Sequence, residues 1–171
     1  AEGQGSGGDL LVAGGTITVA GNSEINVSAS STAADGGDAG FVQFAGGDLV
    51  IEDGTEIKLT TAGGGEGGSL MVDLTGNMTL SDGAAITANT FGAGAGGEVI
   101  VNATNLLLDD AVIRSDSFAA GVGGRIELNV TSLHMNAADI NAQVLGAGDG
   151  GEVVINAATF NMNAVSGINA S

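Results

Sequence analysis

A glycine followed by alternating apolar residues recurs six times along the chain, and this repeat constrains the fold more than any other feature. The anchor glycines are Gly8, Gly40, Gly68, Gly97, Gly124 and Gly151, at spacings of 32, 28, 29, 27 and 27 residues. A unit of this length cannot bury its own apolar face. It must stack on its neighbours, which is the physical definition of a solenoid. Each unit carries three short segments in which apolar residues alternate with polar ones, and period two means strand rather than helix. Val99 and Val101, Ile126 and Leu128, and Val153 and Ile155 represent the first segment. Ile17, Leu49, Met78, Leu106, Leu133 and Phe160 open the second, and Ile25, Ile57, Ile86, Ile113, Ile140 and Ile168 mark the third. The predicted fold is all-β: a right-handed parallel β-helix with three strands per turn and about six turns of 27–32 residues. Stacked at a strand spacing of about 4.8 Å, six turns give a rod roughly 29 Å long. Residues 7–171 form this single solenoid, and residues 1–6 are expected to be a flexible leader.

Glycine makes up 32 of 171 residues, a content that in another chain would signal disorder. Here 43% of residues are hydrophobic and fall in register, which is too much for a disordered chain. Glycines concentrate at one corner, in TFGAGAGGE, SFAAGVGGR and VLGAGDGGE. Repeat length varies most around 31–40 and 61–68, so those loops are expected to project from the rod. Proline is absent, as continuous hydrogen-bonded ladders require.

Charge excludes several functions. Three Lys and Arg stand against 20 Asp and Glu, a net charge of −17. Phosphate recognition needs clustered cations, so nucleic acid is not an expected partner. Anionic membrane surfaces are disfavoured for the same reason, and no apolar run approaches the 18 residues of a spanning helix. There is no cysteine and one histidine, His134, so thiolate and histidine-rich metal sites are excluded.

The unit TFGAGAGGEVIVNATNLLLDDAVIRSDSF resembles the haemagglutinin-type repeats of large secreted bacterial exoproteins. These are the filamentous haemagglutinin-like adhesins of two-partner secretion, with similar repeats in cyanobacteria. The resemblance covers nearly the whole chain and is clearest over residues 67–171. It implies a secreted, extracellular β-helical shaft at a bacterial surface or in its matrix. In such a shaft the repeats serve adhesion to host-cell or matrix carbohydrate, or act as a spacer.

Several columns of side chains are candidate sites. Asp53, Asp82, Asp109 and Asp110 occupy similar places before the third strand. Carboxylates about 5 Å apart repel by roughly 0.8 kcal/mol in water, and calcium, with its 6–8 oxygen ligands, would relieve this. The alternative is that they are turn formers and solubilising charge. No other cofactor is implied. Glu98, Arg125 and Glu152 recur at spacing 27, as do Asn102, Asn129 and Asn156. Both sets are expected to pin the register between turns. Phe91, Phe118 and Leu145 also recur at 27. They either cover the glycine corner or form a lateral apolar stripe for a neighbour or ligand.

A polysaccharide hydrolase or lyase is a remote alternative. Asp109 and Asp110, with Asp82 or Asp139, would have to serve as acid and base. Against it, Tyr and Trp, the usual sugar platforms, are absent. His134 is read as a solvated side chain between inward Leu133 and Met135.

The end turns carry ordinary core residues: Leu10, Val12, Ile17 and Ile25 at one end, Val153, Ile155, Phe160 and Ile168 at the other. Open solenoid ends expose unpaired strands. The expectation is therefore a non-enzymatic rod stacking on its own copies, head to tail, into a filament. An excised length of a larger adhesin shaft is the alternative.

Overall fold

The computed structural model describes residues 5–171. The expected leader 1–6 therefore lies largely outside the described residues. Gly5 and Ser6, its last two residues, run against the backbone of Gly37 one turn on.

The chain winds as a β-solenoid of about six turns built from parallel sheets, with no helix among the described residues. One sheet collects β1 (Leu10–Val19), β3 (Phe41–Ile51), β5 (Ser69–Leu74), β6 (Asn77–Ser81), β8 (Glu98–Asp109), β10 (Arg125–Asn136) and β12 (Glu152–Asn163). Its order is β1-β3-β5-β8-β10-β12, with β6 between β3 and β8. The second sheet runs β13 (Gly167–Ala170), β11 (Asp139–Ala142), β9 (Val112–Arg114), β7 (Ala85–Thr87), β4 (Glu56–Lys58) and β2 (Glu24–Asn26).

Every pairing is parallel and in the register the repeat predicts. Leu10 pairs with Val42, Val42 with Leu70, Leu70 with Val99, Val99 with Ile126 and Ile126 with Val153. The isoleucine column is continuous from Ile25 through Ile57, Ile86, Ile113 and Ile140 to Ile168. These columns are the core. Ile57, Ile86, Ile113 and Ile140 are wholly buried, as are Leu49, Leu80, Leu108 and Leu133 on the facing wall.

The three alternating segments are present, but the first two are not separate strands. In five of six turns they run on as one strand that bends a corner; only β5 and β6 are split, at Thr75–Gly76. The bend appears as a phase slip. In β10 the buried positions are Ile126, Leu128 and Val130, then Leu133 and Met135. An odd step between two even-spaced runs turns the apolar face without breaking the ladder.

The loop at 61–68 does not project. Thr61, Gly63 and Gly65 are buried, and Gly64 donates its N–H to Ala33 O at 3.0 Å. The extra residues stack on the preceding loop, because backbone groups at this depth must find partners on a neighbouring turn. Within 31–40 only residues 32–35 form a fully exposed run.

Candidate functional surfaces: side ladders and end turns

Parallel in-register stacking brings each side chain over its equivalent one turn away. A polar column can therefore bond along the rod axis. Arg125 lies between Glu98 and Glu152, as the spacing predicts: Nη1 reaches Glu98 Oε1 at 3.4 Å and Nε reaches Glu152 Oε2 at 2.8 Å. It also grips Glu127, two residues along its own strand. Sequence reasoning missed this third carboxylate, although alternation puts i and i+2 on one face. Hydrogen bonds from Arg125 to Glu152 and Glu127 hold the guanidinium firmly charged. The amide of Asn129, then Arg125, draws Glu127 below the usual glutamate range.

A second cluster went unread. Lys58 Nζ pairs with Glu24 at 2.8 Å and with Glu56 at 2.9 Å, bridging the first two turns. The signal was available: Glu24 and Glu56 precede the isoleucines of one column at the first repeat spacing of 32. Lys58, then Asn26, lowers the pKa of Glu24, and Glu24 followed by Glu56 raises that of Lys58.

The asparagine column forms as predicted. Asn156 Nδ2 donates to Asn129 Oδ1 at 2.8 Å, and Asn129 Nδ2 to Asn102 Oδ1 at 3.0 Å. Asn102 Nδ2 extends the run to Asp73 at 2.7 Å. A parallel column was not foreseen. Asn89 Oδ1 accepts the backbone N–H of Asp116 at 2.8 Å, and Asp116 Oδ1 accepts that of Gln143 at 2.9 Å. Asp116 is 5% exposed, and burial raises its pKa.

The acidic turns are resolved by backbone geometry. Asn22, Asp53, Asp82, Asp110, Ala137 and Ala164 all have φ between 48° and 56°. They form one column at the corner before the third segment, where the chain must pass through the left-handed region. Asn and Asp tolerate that region better than other side chains. Asp53-Gly54 and Asp82-Gly83 have positive φ at both residues and are closed by Thr55 N–H to Glu52 O and Ala84 N–H to Ser81 O. This is the two-residue turn that Asp-Gly favours. Asp109 belongs to the next column, where it accepts Asn136 Nδ2 at 2.6 Å. The four aspartates thus do not share one column. Among the described residues no three acidic or histidine side chains converge as a metal centre would need. Asp139 lies on β11, a different strand from the corner.

Phe91 and Phe118 stack face to face, with centroids 4.8 Å apart and 14° between planes. They remain 53% and 40% exposed, and Leu145 is 62% exposed. The stripe exists, and within it the stacked rings of Phe91 and Phe118 cover part of each other. His134 sits between buried Leu133 and Met135, with Nε2 3.4 Å from Asn163 Nδ2. A shallow groove of about 420 Å³ runs along the glycine corner, flanked by Glu66, Glu98, Arg125 and Glu152.

At the ends the core columns surface. Leu10, Val12, Ile25, Val153, Ile155 and Ile168 are only partly buried, Phe160 is 45% exposed and Met162 41% exposed; Ile17 alone stays buried at 8%.

No family model matches the chain, and neither a curated protein nor a solved structure is measurably similar to it. The fold and its side ladders define the chain as a β-solenoid repeat protein.

Proposed function

We propose that this chain is a non-enzymatic structural protein: a stiff extracellular rod that stacks head to tail on its own copies into a surface or matrix filament. The observation that carries the reading is the in-register stacking of every turn on the next, a geometry that a further turn can always extend. Both sheets finish on strands without a partner among the described residues, and the apolar columns reach those ends partly exposed. A heterologous end-to-end contact does not close on itself, so it generates a filament. The side chains support the same role. Arg125, Lys58 and the asparagines bond from turn to turn along the axis and stiffen the rod. The net charge of −17 limits sideways bundling.

The likeness of TFGAGAGGEVIVNATNLLLDD to haemagglutinin-type repeats favours a second reading, in which these turns are a length of shaft in a larger secreted adhesin. Carbohydrate attachment would then belong elsewhere in that protein. Electron microscopy of the purified chain, with calcium and with chelator, tests the proposal. Uniform filaments a few nanometres wide are expected. Monodisperse short rods at every concentration would refute self-stacking and leave the shaft reading. Filaments only with calcium would assign the acidic columns a role at the junction.

A further inference from the structure

We infer that two copies of this chain pair side by side and parallel, through the apolar stripe on the glycine corner, about a two-fold axis that runs along the rods. The contact is lateral and does not depend on end stacking.

The sequence leaves this corner almost bare of charge. TFGAGAGG (90–97) and SFAAGVGG (117–124) hold no ionisable residue, and VLGAGDGG (144–151) holds only Asp149 of the 20 acidic residues. The loops stack in register. Thr90, Ser117 and Val144 form a run of parallel bridges, and Phe118 and Leu145 each donate N–H to the preceding bridge residue, at 2.9 and 2.8 Å. Phe91, Phe118 and Leu145 are thereby set one above the next, over two strand steps or about 10 Å. Val122, 49% exposed, widens the stripe. The other large apolar side chains exposed among the described residues are Leu11, Phe160, Met162 and Val165. They lie on the outermost strands β1 and β12 or just after β12. Away from those strands, exposed apolar side chains are confined to this corner. A contiguous, uncharged apolar patch marks an interaction surface.

Charge selects the occupant. Two rods of net charge −17 repel across most of their faces. Corner to corner, uncharged loops meet uncharged loops, and one self-complementary patch serves both copies. The flanks then match. Arg114 ends β9, the strand that leads into the corner. Lys58 and Arg125 are each held by carboxylates, whereas Arg114 has no ion pair or hydrogen bond among the described residues. Glu98 and Glu152 open β8 and β12, the strands that leave the corner on its other flank. A two-fold along the rods turns the Arg114 flank of each copy toward the Glu98 and Glu152 flank of the other. An antiparallel pair would set like flanks together. Four side chains make a contact at the small end of protein interfaces, below about 1,200 Å². The pair is therefore weak and reversible, and it stops at two because each rod has one stripe.

Sedimentation of the whole chain should show a reversible association that Leu145→Asp and Arg114→Glu each weaken at least ten-fold. Both side chains are exposed, so the circular dichroism spectrum and melting temperature should stay those of the parent. Cysteine variants read the geometry, with no native thiol to compete. Leu145→Cys should give a covalent dimer on mild oxidation, because a parallel two-fold brings equivalent positions within disulfide reach. Thr131→Cys, exposed on the bend of β10, should not. Association indifferent to Leu145→Asp, or no more covalent dimer from Leu145→Cys than from Thr131→Cys, would overturn the pairing. Preferential cross-linking of Phe91→Cys chains to Leu145→Cys chains would overturn its parallel direction. Head-to-tail stacking keeps equivalent residues a rod length apart, so the two readings fail separately. Filaments without this dimer would overturn the pairing alone, and the dimer without filaments would overturn end stacking alone.

Discussion

Ala137 occupies a backbone conformation that alanine resists, and replacing it tests the account of the left-handed corner. Its φ is 48°, and Asn22, Asp53, Asp82 and Asp110 hold the same place in the first four turns. A β-carbon in the left-handed region costs roughly 1–2 kcal/mol against its following carbonyl, and asparagine relieves part of this through local hydrogen bonding. Ala137→Asn should therefore stabilise the rod by about 0.5–1 kcal/mol. Ala137→Asp has the same backbone advantage but stands one ladder step from Asp110. Two charges about 4.8 Å apart repel by about 0.9 kcal/mol in water, so the aspartate gain nearly vanishes at low salt. It should return at 1 M salt, where the screening length is about 3 Å. Ala137→Val should lose at least about 1 kcal/mol, since a β-branched residue at positive φ is a genuine outlier. Urea unfolding followed by circular dichroism, at 20 mM and 1 M salt, reads all three variants. If Asn gives no gain and Val no loss, the corner is not held left-handed and the column has another origin. If Asn and Asp are equal at low salt, the aspartates of this column do not feel one another.

Three further outcomes follow from the packing. Asp116 is buried and its pKa is raised, so the unfolded chain ionises more readily and stability is lost as pH rises above the ordinary 3.8. Asp116→Asn keeps an oxygen for the Gln143 N–H and should raise the melting temperature at pH 7; the gain should disappear below about pH 3.8, and a gain that persists there would contradict the sign. Ile113→Ala in the middle of the isoleucine column should cost roughly 2–5 kcal/mol by chemical denaturation, and Ile25→Ala at the open end distinctly less. Gly97→Ala, whose β-carbon would collide with Gly68 O, should prevent cooperative folding, seen as loss of the melting transition, whereas a β-carbon at Gly8 meets nothing among the described residues and Gly8→Ala should cost far less.

Much of the fold was legible because the solenoid converts sequence period directly into spatial neighbours. The anchor glycines set the pairing, and Ile25 to Ile168 then had to stack as they do. The Arg125 and Asn129 columns were readable for the same reason. What escaped was local. The phase slip at Val130 and Leu133 merges two segments into one strand, and an alternation pattern alone does not say whether the ladder survives a bend. For the corner aspartates the sequence left calcium and turn formation both open, because charge is visible in a sequence and φ is not. Ala137 and Ala164, which share their conformation without their charge, show that geometry decides that column. The loop at 61–68 looked long enough to project, but its glycines let it lie on the loop before it.

The energetic form of the repeat bears on the ends as well. In a solenoid, stability is a sum of weak intrinsic turn terms and favourable interfaces between neighbouring turns. Six turns hold five such interfaces, and each is a ladder of backbone bonds over a stacked apolar column. Joining two rods would add a sixth interface of the same kind, between strands already folded. The opposing term is the loss of free rotation and translation, about 4–15 kcal/mol at 1 M. Little further ordering is needed, since β1 and β12 are extended before they meet. A junction much weaker than an interior interface would therefore require a specific defect at the ends. Carrying the turn-to-turn register across such a junction would set Asp9 against Glu152, one like-charge pair on the rim. Salt should accordingly lower the assembly concentration modestly, and Asp9→Asn should do the same without salt; an assembly that salt weakens would mean that attraction between charges, not the stacked columns, joins the rods.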